Sequence, residues 1–186
     1  MTYIEGFVTA VPTANKQAFI EHARKASDLI KEFGAARHVE CWGDDVPHGK
    51  LNDLHMAVKA RDDETVLFSW FEYPDKAARD AANKKMMDDP RMNDGSNPMP
   101  FDGSRMIFGG FAVINEAGEG GDMGYIDGVV VPVDTAKKST YTDWCRTVAD
   151  IFLEQGATRV VDTWVDDVPD GKQTDFKHAA HLQDGE

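Results

Sequence analysis

The feature that most constrains this chain is an internal repeat. MTYIEGFVTAV at residue 1 returns as MGYIDGVVVPV at residue 123, so Met1, Tyr3, Ile4, Gly6 and Val8 recur 122 positions on as Met123, Tyr125, Ile126, Gly128 and Val130. The same offset, with no gap, carries Gly34-Ala35 onto Gly156-Ala157, Trp42 onto Trp164, and Asp44-Asp45-Val46-Pro47 onto Asp166-Asp167-Val168-Pro169. Of the 64 overlapping positions 27 are identical, where chance yields only a few. Self-similarity at one fixed offset is the mark of a duplicated folding unit. Residues 1–115 read as one complete domain, 116–122 as a linker rich in Gly and acid, and 123–186 as a second copy that reaches only the counterpart of Glu64. Such a half-copy is expected to need a strand from elsewhere, and to serve as a partner surface or a remnant.

Within the complete unit the element order is legible from periodicity. Residues 3–11 read as a strand, and Thr13 offers an N-cap for a helix whose Phe19, Ala23, Ala26, Ile30 and Phe33 form one apolar stripe ended by Gly34. Residues 35–42 read as a second strand running into a turn, Asp44 to Lys50, built from Asp, Pro and Gly. After a weakly patterned stretch, 51–62, the run Thr65 to Tyr73 is the clearest strand, closed by Pro74. A helix over 75–88 carries Ala78, Ala82 and Met86 on one side, Pro90 stops it, and the last strand runs from Arg105 to Ile114. The order β-α-β-β-α-β is the ferredoxin-like plan of an α+β fold. Two helices cover one sheet face only. Yet Val66, Phe68 and Trp70 alternate with Leu67, Phe71 and Tyr73 along the third strand, so both faces must be covered. A second sheet is the expected cover, as in a dimeric α/β barrel, and the protein is therefore expected to pair with itself, either between chains or between its own repeats.

Charge and composition narrow the partners. A net charge of -13 repels phosphate backbones and anionic lipid, so neither nucleic acid nor membrane is an expected partner. The first residues lack the basic and apolar regions of a signal peptide, and no apolar run reaches the roughly 18 residues of a membrane span. Cys41 and Cys145 show neither disulfide nor zinc spacing, which fits a cytoplasmic protein.

These residues also carry a resemblance. Tyr3-Ile-x-Gly-Phe-Val, Glu40-Cys41, Asp44-Asp45-Val46-Pro47-x-Gly49, Phe68-Ser69-Trp70, Arg79-Asp80, Asp89-Pro90-Arg91-Met92 and Met99-Pro100-Phe101-Asp102-Gly103 are similar to the YbaA-like family of unknown function. So are Arg105-Met106-Ile107 and Gly109-Gly110-Phe111. The resemblance implies a dimeric α/β barrel and implies no reaction. The second copy departs from it where Asp162-Thr163 stands for Glu40-Cys41.

The candidate chemistry is modest. Cys41 beside Glu40 suggests a reactive thiol, although His38 at i−3 falls on the opposite strand face. The repeated Asp-Asp pair reads as a turn. His178 and His181 have helical spacing, but no third ligand accompanies them. Arg79, Asp80, Arg91 and Arg105 are expected to converge near Phe101, with Ser69 and Trp70 lining a cavity or an interface core; there, arginines could grip a carboxylate. No phosphate-binding or nucleophile-elbow motif is present, and neither cofactor nor metal is expected. The expected function is small-molecule binding in a barrel pocket. The alternatives are a cofactor-free or haem-linked monooxygenase, by analogy with other barrels of this shape, and an assembly module without a ligand.

Overall fold

The structure is a computed structural model and describes residues 2–92, 94–121 and 124–186. Five strands, β1 (Tyr3–Pro12), β2 (Arg37–Trp42), β3 (Glu64–Tyr73), β4 (Ile107–Ala117) and β5 (Val160–Asp167), form one antiparallel sheet in the order β2-β3-β1-β4-β5. The first four strands follow the ferredoxin-like order, with α1 (Lys16–Phe33) and α3 (Lys76–Asp88) on one face. The stripe read from the sequence is the buried one: Phe19, Ala23, Ile30 and Phe33 of α1 meet Tyr3, Phe71, Tyr73 and Leu67 of the sheet. Gly34, at φ 126°, ends α1 in a conformation that only glycine adopts readily.

The stretch 51–62, weak in pattern, contains a one-turn helix, α2 (Leu54–Ala57), whose N-cap Asp53 accepts from the Met56 N–H. In the second copy the turn recurs as α5 (Phe176–Ala179), capped in the same way by Asp175, and Gly49 and Gly171 donate to the respective caps at 3.0 Å.

The second copy departs from the expected β-α-β. Its helix α4 (Lys138–Glu154) and strand β5 form, but residues 124–133, the counterpart of β1, make no ladder. In the first copy that strand pairs with β3 and β4. Here both edges of each are already occupied. The copies instead meet along the outer edge of β4, where β5, the repeat of β2, adds a fifth strand. This partner also explains why β4 runs on to Ala117 and not only to Ile114. The Met1–Met123 match lies outside the described residues.

Among the described residues of this chain, packed segments rather than a further ladder lie on the second sheet face. Val8, Ala10, Val66 and Ile107 are buried under α2, Phe176, Ala179, Val130 and Val168, mostly pieces of the second copy. The sheet curls over this side: Arg37 on β2 and its repeat Arg159, just before β5, both reach Glu72, with Arg159 bidentate at 2.8 and 3.1 Å. The repeated Asp-Asp pair becomes a clasp between copies. Asp166 takes the Tyr3 hydroxyl and Lys76, and Asp167 takes Arg79 at 2.6 Å.

Acid should undo this frame. Hydrogen bonds from Arg105 hold the Glu64 carboxyl below its ordinary value of 4.5. For Glu72, burial works in the opposite direction, but hydrogen bonds from Arg159 and Trp70 outweigh it and keep the value low. Unfolding restores the ordinary value, so below about pH 4.5 the unfolded chain binds protons that the native one does not. Urea midpoints should be flat from pH 7 to about 5 and fall progressively below 4.5, and Glu64→Gln should flatten that fall.

Candidate functional site

Antiparallel pairing of β2 with β3 sets Glu40 opposite Ser69 and His38 opposite Phe71, all on the face that carries α1. Glu40 lies at the centre of a short hydrogen-bonded chain. Its Oε2 accepts from the Ser69 hydroxyl, and its Oε1 is 2.6 Å from His38 Nε2. The His38 side chain is 3% exposed, its ring edge-on to Phe71 at 4.8 Å. A carboxylate beside one ring nitrogen favours the tautomer protonated there and leaves the other nitrogen as an acceptor. The chain borders an open cleft of about 310 Å³ between α1 and β2, lined by Lys16, Phe19, Arg24, Trp42 and Leu67 as well as by His38 and Glu40. Lys16 Nζ stands over the Trp42 ring at 5.1 Å, and Phe19 packs against the same ring. The arrangement offers an apolar floor, two cations and a hydrogen-bonded imidazole–carboxylate pair.

The residues singled out from the sequence are distributed differently. Ser69 belongs to this site. Phe101 lies beside it, behind Phe19 and His22, held there by Asn15 bonding the Pro100 carbonyl. Trp70 points to the opposite, concave face, where with Ile4, Gly6, Phe68, Phe111 and residues 126–133 it borders a groove of about 360 Å³, its indole N–H donating to Glu72 at 2.9 Å. Cys41 lies across from Phe68 and so faces the same side, away from Glu40 and His38. Burial, and then the Glu40 charge, push its thiol above the ordinary value, which suits a nucleophile poorly.

The arginines do not converge. Arg79 donates to Glu5, Asp80 and Asp167 near the start of β1. Arg105 grips Glu64 at 2.6 and 2.7 Å and bonds the Lys59 carbonyl near the end of β1. Arg91 pairs with Asp89 and Glu32 at the surface. Each has acidic partners. Among the described residues no group of three or more His, Cys, Asp or Glu could hold a metal ion; His178 is bound by its own cap, Asp175.

His38, Lys16, Arg24 and Trp42 were missed as site residues. A signal existed: strand alternation puts His38 on the same side as Glu40, and both Lys16 and Trp42 reappear in the second copy as Lys138 and Trp164. There the pair re-forms, with Nζ 5.2 Å from the ring centroid. The cleft's chemistry does not re-form, because Val160 stands in place of His38 and Asp162 is bonded by Asn115.

A family model described as protein of unknown function (DUF1428) matches residues 2–103 and 124–186, which takes in parts of both copies and all of the cleft's lining residues. The chain is also similar to the uncharacterized protein YbaA of Escherichia coli strain K12 and of Shigella flexneri, each 60% identical over 117 residues. That stretch is 62% of this chain and 100% of either relative.

Proposed function

The chain belongs to the DUF1428 family of proteins of unknown function, and on that premise we propose that it binds a small molecule in the cleft between α1 and β2. The observation that carries this reading is the hydrogen-bonded chain Ser69–Glu40–His38 at the border of a 310 Å³ cleft. Ser69 and the His38 side chain are buried while Glu40 is partly exposed at the opening, and polar groups that bond one another at such a border are costly to assemble for packing alone. A catalytic use is the second reading. It is favoured by the His38–Glu40 bond, which prepares the imidazole to exchange a proton with a bound molecule.

Self-association belongs to the same proposal. Copies of this unit join by laying a strand of β2 type on β4, as β5 does within this chain. A cytoplasmic setting is proposed with it, on the ground that Cys41 and Cys145 are both free.

The test is a fragment screen on the whole chain, followed by backbone amide NMR. Binding probes should move amides of residues 16–27 and 38–42, and His38→Gln and Glu40→Gln should each weaken them several-fold, with little change in melting temperature for the partly exposed Glu40. Shifts confined to Phe68, Trp70 and Phe111 would move the site to the concave groove and sink the reading.

A further inference from the structure

The same cleft also indicates what it takes, an inference that rests on the reading above. Lys16, Ile20 and Arg24 follow one another at four-residue spacing along the α1 rim. Because α1 runs back along β2, Lys16 stands at the Trp42 end and Arg24 toward the His38 end. Neither cation has a carboxylate partner among the described residues, whereas Arg37, Arg79, Arg91, Arg105, Arg146 and Arg159 do; Arg61 and several surface lysines also stand without one, so it is the place of Lys16 and Arg24 on the cleft rim that singles them out.

The second copy treats the same helix position differently. Arg146, the counterpart of Arg24, is tied to Asp143 at 2.7 Å. The acid at that position in the first copy is Glu21, which accepts from Gln17 at 3.2 Å and leaves Arg24 to the cleft. Among the described residues Glu40 is the one carboxylate that lines the cleft, and its two oxygens are engaged by His38 and Ser69. An incoming molecule therefore meets cations at the rim and aromatic surface at the floor.

We propose that the cleft takes a small aromatic carboxylate, its ring on Phe19 and Trp42 and its carboxylate on the Arg24 guanidinium. The planar fork of arginine matches a carboxylate bidentately, and 310 Å³ is at the lower end of ligand pockets, which selects a molecule of one or two rings.

Benzoate, benzyl alcohol and benzylamine, titrated into the whole chain and followed by amide NMR, test this. Benzoate should bind in the cleft with an affinity on the order of millimolar, about tenfold tighter than benzyl alcohol, and benzylamine should not bind. Arg24→Gln should remove the tenfold advantage and leave benzyl alcohol unchanged. If benzyl alcohol binds the cleft as tightly as benzoate, or Arg24→Gln has no effect, the ligand class is wrong while the cleft remains a site. If no probe moves a cleft amide up to its solubility, both readings fall.

Discussion

Replacing Arg105 with alanine is expected to destabilise the protein by about 3–5 kcal/mol, the usual cost of leaving one member of a buried ion pair alone. The Glu64 side chain is 3% exposed and receives both Arg105 guanidinium nitrogens, at 2.6 and 2.7 Å. Without the arginine, Glu64 keeps the Arg61 backbone N–H as its hydrogen-bond donor and must otherwise stay charged in a poor solvent or take up a proton. Arg105 also satisfies the Lys59 carbonyl, where the chain turns at φ 49° after α2. The loss corresponds to a fall in melting temperature on the order of 10 °C for a chain of this size. The double variant Arg105→Met with Glu64→Leu should recover most of it, because a well-packed apolar pair can replace a buried ionic one at little cost. A denaturant melt of the three proteins decides the matter. An alanine variant within about 1 kcal/mol of wild type would show that water reaches the pair and screens it.

Arg79→Ala should be comparably severe, with a different spatial signature. Arg79 and Glu5 are 7% and 4% exposed, and the second Glu5 oxygen is buried with no hydrogen-bond partner among the described residues. Removing the guanidinium leaves Asn83 as the remaining side-chain donor to that carboxylate. It also removes the shortest tie from α3 to Asp167 on β5, leaving Lys76 and the Tyr3 hydroxyl to hold the clasp between copies. A loss of about 3–5 kcal/mol is again expected. In hydrogen exchange, β5 should open first, at free energies well below those of β1 and β3. Equal acceleration of β5 and β1 would mean that the two copies unfold as one unit and that the clasp carries no separate stability.

Both arginines illustrate what a sequence leaves out. They were legible as residues worth attention, since cations between an apolar helix and a strand need partners, but the partners were not. Glu5 lies 74 positions from Arg79 and Glu64 lies 41 from Arg105, and no local pattern links them. The two do not converge on one anion site because Glu5 lies near the start of the ten-residue β1, whereas Glu64, on β3, stands opposite Pro12 at its end. Ser69 and Trp70 carried the opposite difficulty. They are expected together at one cavity or core, but as neighbours on β3 they face opposite sides, and only Ser69 reaches the side that carries α1.

What the sequence by itself determined is the duplication, the element order of the complete unit, the stripe by which α1 packs, and which neighbours share a strand face. These are local properties, written in periods of 2 and 3.6 residues and in capping and turn residues that act within a few positions. Only the tertiary structure decided that the second copy's β2 counterpart would pair with β4, that its β1 counterpart would stay unpaired, and that Lys16, Arg24, Trp42, His38, Glu40 and Ser69 would meet around one cleft. The reason is physical. Each sheet edge accepts one neighbour, so the place of a strand depends on which edges the rest of the chain has already filled. The order β2-β3-β1-β4 leaves two edges open, and in this chain β5 takes the one on β4.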